Sequence, residues 1–181
     1  MKCLLCGKKI NAVIAKELRG GEKAEVFYCK KCELGILDNL ATEKNLKEYY
    51  NTQYRKVVSP KLGFGMSPKE LFQAEVSFQD GRINLLKKHF GKKKRLLDIG
   101  CSSGMFLWHA RKYVREAVGI DYDIRSARYA GRKCGCRTYS KDIEETDLKP
   151  GSFDIICAFQ VLEHTNNPLD FILRHKKYLK P

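Results

Sequence analysis

Apolar and polar positions change their rhythm along the chain, and the changes predict its elements. Near the N-terminus, Ala12 to Ala15 and Val26 to Tyr28 are short runs of strand-forming residues separated by Gly20-Gly21, which predicts two strands and a turn. Thr42 to Lys61 is polar with Tyr49, Tyr50 and Tyr54 interleaved and reads as a short helix. Ser59-Pro60, Gly63, Gly65 and Ser67-Pro68 then read as a joint. From Glu70 to Phe90 the apolar residues fall mostly at helical intervals, with Ile83, Leu86 and Phe90 at i, i+3, i+7, so a single helix bent near Gly81 is expected. Beyond it the rhythm alternates. Arg95 to Ile99 predicts a strand, Met105 to Tyr113 a helix with Phe106, Leu107 and Ala110 inward, and Glu116 to Ile120 a second strand. Asp123 to Cys134 predicts a second helix through Ile124, Ala127, Ala130 and Cys134, followed by a third strand around Cys136 to Tyr139. Strands alternating with helices in this way predict an α/β, Rossmann-like parallel sheet with flanking helices.

The cysteines add a second unit. Of eight, four fall in two Cys-x2-Cys pairs, Cys3 with Cys6 and Cys29 with Cys32, and no export signal is expected, since Leu4-Leu5 is too short for its apolar core. Two such knuckles supply the four thiolates of a closed tetrahedral zinc shell, so Zn2+ is expected as a structural ion and not as a catalytic one. Gly7 follows the first pair, where a left-handed residue would let the chain leave the knuckle, and Gly35 lies three residues beyond the second. About forty residues cannot stabilise themselves by apolar burial alone, and metal ligation on the order of 10 kcal/mol makes up the deficit. Free core thiols are the ordinary alternative for the pairs. They are the expected state of Cys101, Cys134, Cys136 and Cys157, which lack the spacing. The predicted organisation is a zinc ribbon over 1–40, a helical or flexible linker over 41–69, and the α/β domain over 70–181.

The first strand runs into Asp98-Ile99-Gly100-Cys101-Ser102-Ser103-Gly104, a strand–glycine turn–helix arrangement that brings backbone N–H groups against a ligand. The second strand ends at Asp121, 21 residues after Gly100, where a carboxylate can accept both hydroxyls of a ribose. A nicotinamide dinucleotide is the first competitor. Its fingerprint asks for glycine at positions 100, 102 and 105, and the chain has Gly100, Ser102 and Met105.

The segment instead resembles motif I of the class I S-adenosylmethionine-dependent methyltransferases, Asp-Ile-Gly-Cys-Gly-x-Gly, with Ser102 in place of the middle glycine. The resemblance extends over roughly residues 70 to 181. Gly119-Ile120-Asp121 is similar to motif II, which implies that Asp121 holds the ribose with Tyr122 beside the adenine. Lys141-Asp142-Ile143-Glu144 resembles the segment after the third strand, which implies that Asp142 takes the adenine amino group while Ile143 covers the ring. Ser152 to Ile156 resembles the fourth strand, and Gln160-Val161-Leu162-Glu163-His164, Asn167-Pro168 and Tyr178-Leu179-Lys180-Pro181 resemble the family's Val-Leu-Glu-His run, helix-opening proline and Leu-Lys-Pro closing. The resemblance implies S-adenosylmethionine as cofactor, bound by Asp98, Gly100, Cys101, Gly104, Asp121, Tyr122, Asp142 and Ile143, with Phe159 and Gln160 bordering its methionine end. A ribbon followed by Tyr-Tyr-x3-Tyr also resembles a subgroup acting on small molecules such as sugars and other biosynthetic intermediates. Set against the family's seven strands, the chain ends after the fourth, which implies a C-terminally truncated domain with that strand as an apolar edge.

His164, just past the fourth strand, has the residue type of a general base, with Glu163 to orient it; both also fit a capped turn. His89, His109 and His175 read as surface or packing residues. Charge changes the picture only in its breadth. A net charge of +14 is spread evenly over the two halves, with one dense cluster at Lys87, Lys88, Lys92, Lys93, Lys94 and Arg95. A solvated helix end explains that cluster, and an RNA partner remains admissible. No apolar run approaches the roughly 18 residues of a membrane span, so a cytoplasmic protein is expected. Three functions remain: a methyltransferase with a small-molecule acceptor, an RNA methyltransferase using ribbon and basic cluster, and a non-catalytic zinc-ribbon binding module.

Overall fold

The computed structural model describes residues 1–18, 23–37, 48 and 66–181. The expected Gly20-Gly21 turn, the three tyrosines, Ser59-Pro60, Gly63 and Gly65 lie outside the described residues. Strands β1 (Val13–Glu17), β2 (Lys23–Cys29) and β3 (Leu34–Leu37) form an antiparallel sheet in that order. β3 is an addition to the sequence expectation. Its four residues include Gly35, which weakens the pattern, yet Ile36 pairs with Phe27 and is buried beside Cys3, Ile10 and Cys29. Gly7 has φ 69°, as its place after the first knuckle requires. In the second knuckle Glu33, at φ 55°, takes that conformation, and Gly35 lies within β3.

The second sheet is parallel, in the order β6-β5-β4-β7, from β4 (Gly91–Ile99), β5 (Val114–Ile120), β6 (Arg137–Tyr139) and β7 (Ile155–Ala158). β4 is central and buried on both faces. Leu96 packs on one side with Phe106, Leu107 and Ala130, and Leu97 on the other with Val118, Ile143 and Phe153. Such continuous apolar runs are what a doubly covered parallel strand demands. β4 begins four residues earlier than expected because Gly91 pairs with Val114. Two amines of the basic cluster are used locally: Lys92 Nζ donates to the Lys112 carbonyl at 2.6 Å and Lys94 Nζ to that of His89 at 2.7 Å. The fourth strand lies two to three residues later than expected. Phe153 precedes it, fully buried, and its carbonyl accepts the Lys180 N–H at 2.8 Å. Among the described residues β7 is a sheet edge.

The predicted helix over 70–90 is two helices, α1 (Pro68–Glu75) and α2 (Asp80–Leu86), joined by a 3-10 turn at Val76–Gln79. Ser67-Pro68, expected to interrupt structure, starts it: the Ser67 hydroxyl accepts from Glu70 N–H, the Glu70 carboxylate accepts from Ser67 N–H, and Pro68 occupies the first turn. The break falls at Phe78 (φ −95°, ψ 26°) and not at Gly81, which is inside α2. The Gln79 side chain explains it. Its Nε2 donates to the Glu75 carbonyl at 3.0 Å, the acceptor that an unbroken helix would offer to the residue-79 backbone N–H. α3 (Met105–Ala110) stops short of the expected Tyr113, because β5 starts at Val114. α4 (Ile124–Cys134) is capped by Asp123 and ended by left-handed Gly135, and α5 (Pro168–Lys176) is capped by Asn167.

α4 packs against the start of α3 at Gly104. That residue has φ 86°, and a Cβ on it would lie 2.8 Å from Ala130 Cβ and 2.9 Å from Cys134 Sγ. Gly135 has φ 64° but open space around it. Gly104→Ala is therefore expected to cost about 2–4 kcal/mol, from left-handed strain plus overpacking, and Gly135→Ala about 1 kcal/mol, from strain alone. Urea unfolding followed by fluorescence of Trp108, the one tryptophan, measures both.

Candidate functional site

A cavity of about 570 Å³ opens at the carboxyl ends of β4, β5, β6 and β7, the edge at which parallel α/β sheets bind ligands. Its size is that of a small-molecule site. The turns after the strands supply Gly100 and Ser102, then Asp121, Tyr122 and Asp123, then Asp142 and Ile143, and last Phe159, Gln160 and Val161. α1, α2 and α5 add Leu71, Glu75, Arg82, Asp170 and Arg174.

The turn after β4 is fastened to β5. The Gly100 and Cys101 N–H groups both donate to the Ile120 carbonyl, at 2.8 and 3.0 Å. Gly100 has φ 73°, and a Cβ there would collide with the Val161 side chain, so backbone itself forms this wall. Ser102, left-handed at φ 49°, turns its N–H to Asp121 Oδ2 at 2.8 Å, while Asp123 N–H donates to Oδ1 at 2.9 Å. Both carboxylate oxygens of Asp121 are thus oriented by backbone groups. Tyr122 Oη donates to Asp142 Oδ1 at 2.5 Å, which joins the two residues expected around one ring.

Of the residues expected from sequence, Gly100, Asp121, Tyr122, Asp142, Ile143, Phe159, Gln160 and His164 line the cavity together. Asp98, Cys101, Gly104 and Glu163 are not among its lining residues. Asp98 is buried in β4, Cys101 packs its sulfur where a Cβ on Gly119 would fall, Gly104 starts α3, and Glu163 is exposed. Burial raises the Cys101 thiol well above its ordinary range and pushes Cys134 up to about 12. These thiols are packing groups, as expected, with Cys136 only half-buried. His109 bonds the Val76 carbonyl at 2.8 Å, and His175 bonds that of Phe171 at 2.7 Å while also reaching the cavity wall.

Two arginines escaped the sequence reading. Arg82 directs Nη2 to Gln160 Oε1 at 3.3 Å, and its guanidinium carbon lies 4.8 Å from the Phe159 ring centroid. Arg174 forms a two-point pair with Glu144, at 2.8 and 3.0 Å, and this pair holds the Glu144 carboxyl down to about 2. An arginine at a polar position of the helix before the first sheet strand was the available signal for Arg82. In the N-terminal unit the Sγ atoms of Cys3, Cys6, Cys29 and Cys32 all lie within 4.8 Å of one another, a set able to hold a metal ion.

A family model described as "Methyltransferase domain" matches residues 72–181. The chain is 28% identical over 110 residues to a protein of Photobacterium profundum named ubiquinone biosynthesis O-methyltransferase, a match covering 55% of this chain and 46% of that protein. It is 30% identical over 95 residues to the protein of the same name from Roseobacter denitrificans, covering 50% and 38%. The chain thus spans about half or less of the length of these curated relatives. Among solved structures, a SAM-dependent methyltransferase from Aquifex aeolicus superposes with a TM-score of 0.52 at 18% identity, covering 64% of this chain and 69% of that one. A geranyl diphosphate C-methyltransferase from Streptomyces coelicolor gives 0.51 at 16% identity, covering 77% and 62%. These likenesses establish the fold. No helix among the described residues is long and apolar enough to cross a membrane.

Asp98 carries a measurable consequence. Burial pushes its carboxyl up to about 8, against the opposing charge of Arg82 and with the help of Asp121. Because the folded chain then holds a proton that the unfolded chain releases near pH 4, this group's contribution is full below about pH 4 and is lost as pH rises toward about 8. The urea midpoint of the ligand-free protein is expected to fall between about pH 5 and about pH 8, and Asp98→Asn is expected to flatten that fall. Trp108 fluorescence at a series of pH values checks it.

Proposed function

The chain belongs to the methyltransferase domain family, and from that premise we propose that it transfers a methyl group from S-adenosylmethionine to a small-molecule acceptor. The observation that carries the reading is the Asp121 carboxylate, oriented by Ser102 and Asp123 N–H groups at the mouth of a glycine turn whose Gly100 leaves no room for a side chain. In this reading Asp121 holds the two ribose hydroxyls, and Asp142 takes the adenine amino group between Tyr122 and Ile143. Phe159 and Gln160 border the methionine end. Arg82 is the cation that lines the cavity beside them, and it suits the carboxylate there.

The cofactor, when bound, supplies a methyl group on a positively charged sulfur. The chain's part is to bind and align the reactants and to exclude water, which is where most of the rate of an in-line displacement originates. Two lines support a small-molecule acceptor. Relatives are named for O-methyl transfer in ubiquinone biosynthesis. A neighbour of the same fold is titled for methylation of geranyl diphosphate. An oxygen acceptor must lose a proton. His164, on the 3-10 turn Leu162–His164 that follows β7, lines the cavity and serves as the base, whereas Glu163 is not among the lining residues.

The ribbon is a separate structural unit in this proposal, stapled by zinc. Four thiolates at about 2.3 Å from a tetrahedral ion stand about 3.8 Å apart, and Cys6 and Cys29 are 3.8 Å apart. All four positions are filled by protein sulfur, so the ion's contribution is to folding. The domain limits follow the same reading, with the ribbon over 1–40, a linker over 41–69 and the methyltransferase domain over 70–181.

The test is methyl transfer from labelled S-adenosylmethionine to phenols and other hydroxylated small molecules, wild type against His164→Gln. Transfer by the wild type is expected, with kcat about 100-fold or more lower in the variant and cofactor affinity unchanged. Equal rates would remove His164 from the chemistry, and RNA as the only methylated acceptor would overturn the small-molecule reading.

A further inference from the structure

We propose that Gln79 is a positioning residue, which fixes the Arg82 guanidinium in the cavity wall and thereby sets affinity for the carboxylate-bearing end of the cofactor. The proposal rests on the S-adenosylmethionine reading above. Gln79 is the only uncharged amide among the buried polar side chains of the described residues, 4% exposed, in the 3-10 turn between α1 and α2. A buried amide is costly unless both ends are satisfied, and both are. Nε2 donates to the Glu75 carbonyl at 3.0 Å, and Oε1 accepts from Arg82 Nη1 at 3.2 Å.

The first bond locks the amide to the end of α1, and the second locks the guanidinium to the amide. Arg82 is then held from three sides: by Gln79, by the face of Phe159 at 4.8 Å, and by Gln160 through Nη2 at 3.3 Å. A long side chain confined in this way has already lost most of its rotamer freedom before a ligand arrives, and affinity gains what ordering would have cost. The chemistry of the anchor matters as much as its position. A neutral amide accepts a hydrogen bond without neutralising the guanidinium, so the positive charge stays available to an anion. A carboxylate in the same place would compete with that anion.

The test uses two ligands that differ in the part Arg82 would read. S-Adenosylhomocysteine carries the amino-acid tail, and 5′-methylthioadenosine keeps the nucleoside and sulfur without it. Both are titrated calorimetrically into the full chain as wild type, Gln79→Leu, Gln79→Glu and Arg82→Ala, with urea unfolding reporting that each variant is folded. Gln79→Leu is expected to weaken S-adenosylhomocysteine about fivefold to tenfold, the size of one ordinary hydrogen bond, and to leave 5′-methylthioadenosine within about twofold. Gln79→Glu is expected to weaken only the tailed ligand too, and by more. Equal weakening of both ligands would make Gln79 a packing residue and overturn the proposal, as would unchanged affinity for S-adenosylhomocysteine in folded variants. A wild type that binds neither ligand would overturn the cofactor reading itself, and the proposal with it.

Discussion

The structure depends on the tie between the glycine turn after β4 and the end of β5. Ile99 and Ile120 are paired in the sheet, and the Ile120 carbonyl accepts two successive N–H groups from the turn, those of Gly100 and Cys101. One residue later, Ser102 N–H reaches the Asp121 carboxylate, and Asp123 N–H closes on its other oxygen. Four backbone donors thus convert the strand register into a fixed acidic group at the mouth of a cavity. Asp123 also caps α4, whose Ala130 and Cys134 pack against Gly104, so the same few residues set the carboxylate, the helix and the turn. Displacing any one of them moves the others, because two of the bonds run backbone to backbone, two fasten a side-chain carboxylate, and the packing at Gly104 is close.

Around this tie the two units are stabilised differently. The parallel sheet is stabilised by burial, with Leu96, Leu97, Leu107, Val118 and Phe153 fully enclosed. Among the described residues the N-terminal unit buries a small cluster around Cys3, Ile10, Cys29 and Ile36, and its four converging sulfurs suit a metal staple that would add to so little burial. The cavity belongs to the first unit. Turns at the strand ends line one side of it, and α1, α2 and α5 add polar side chains to the other, of which Arg174 is fixed by Glu144 and Arg82 by Gln79.

What was legible in the sequence was local. The order of strands and helices, the glycine turn, Asp121 at its distance from Gly100 and the two cysteine pairs depend on spacing along the chain, and the structure brings each group together. What was not legible depends on contacts between distant segments. The break between α1 and α2 is caused by a side chain occupying a helix carbonyl, which periodicity does not report, and Gly81 offered a false position for it. Ser67-Pro68 read as a disruption because the same pair ends one element or starts another, depending on a Glu three residues on. Arg82 and Arg174 sit at ordinary polar helix positions, and only the packing of α2 and α5 over the strand ends brings them to the cavity. Asp98, conversely, has the residue type of a ligand contact but is buried in β4.

The central claim is that the Asp121 carboxylate, held by two backbone N–H groups, is what binds the cofactor. Calorimetric titration of S-adenosylhomocysteine into the wild type and into Asp121→Ala tests it directly. The account predicts binding at about micromolar strength that the substitution weakens by roughly 150-fold or more, the scale of two hydrogen bonds to a charged group. Equal affinity in the two proteins, or no binding by a folded wild type, would contradict it.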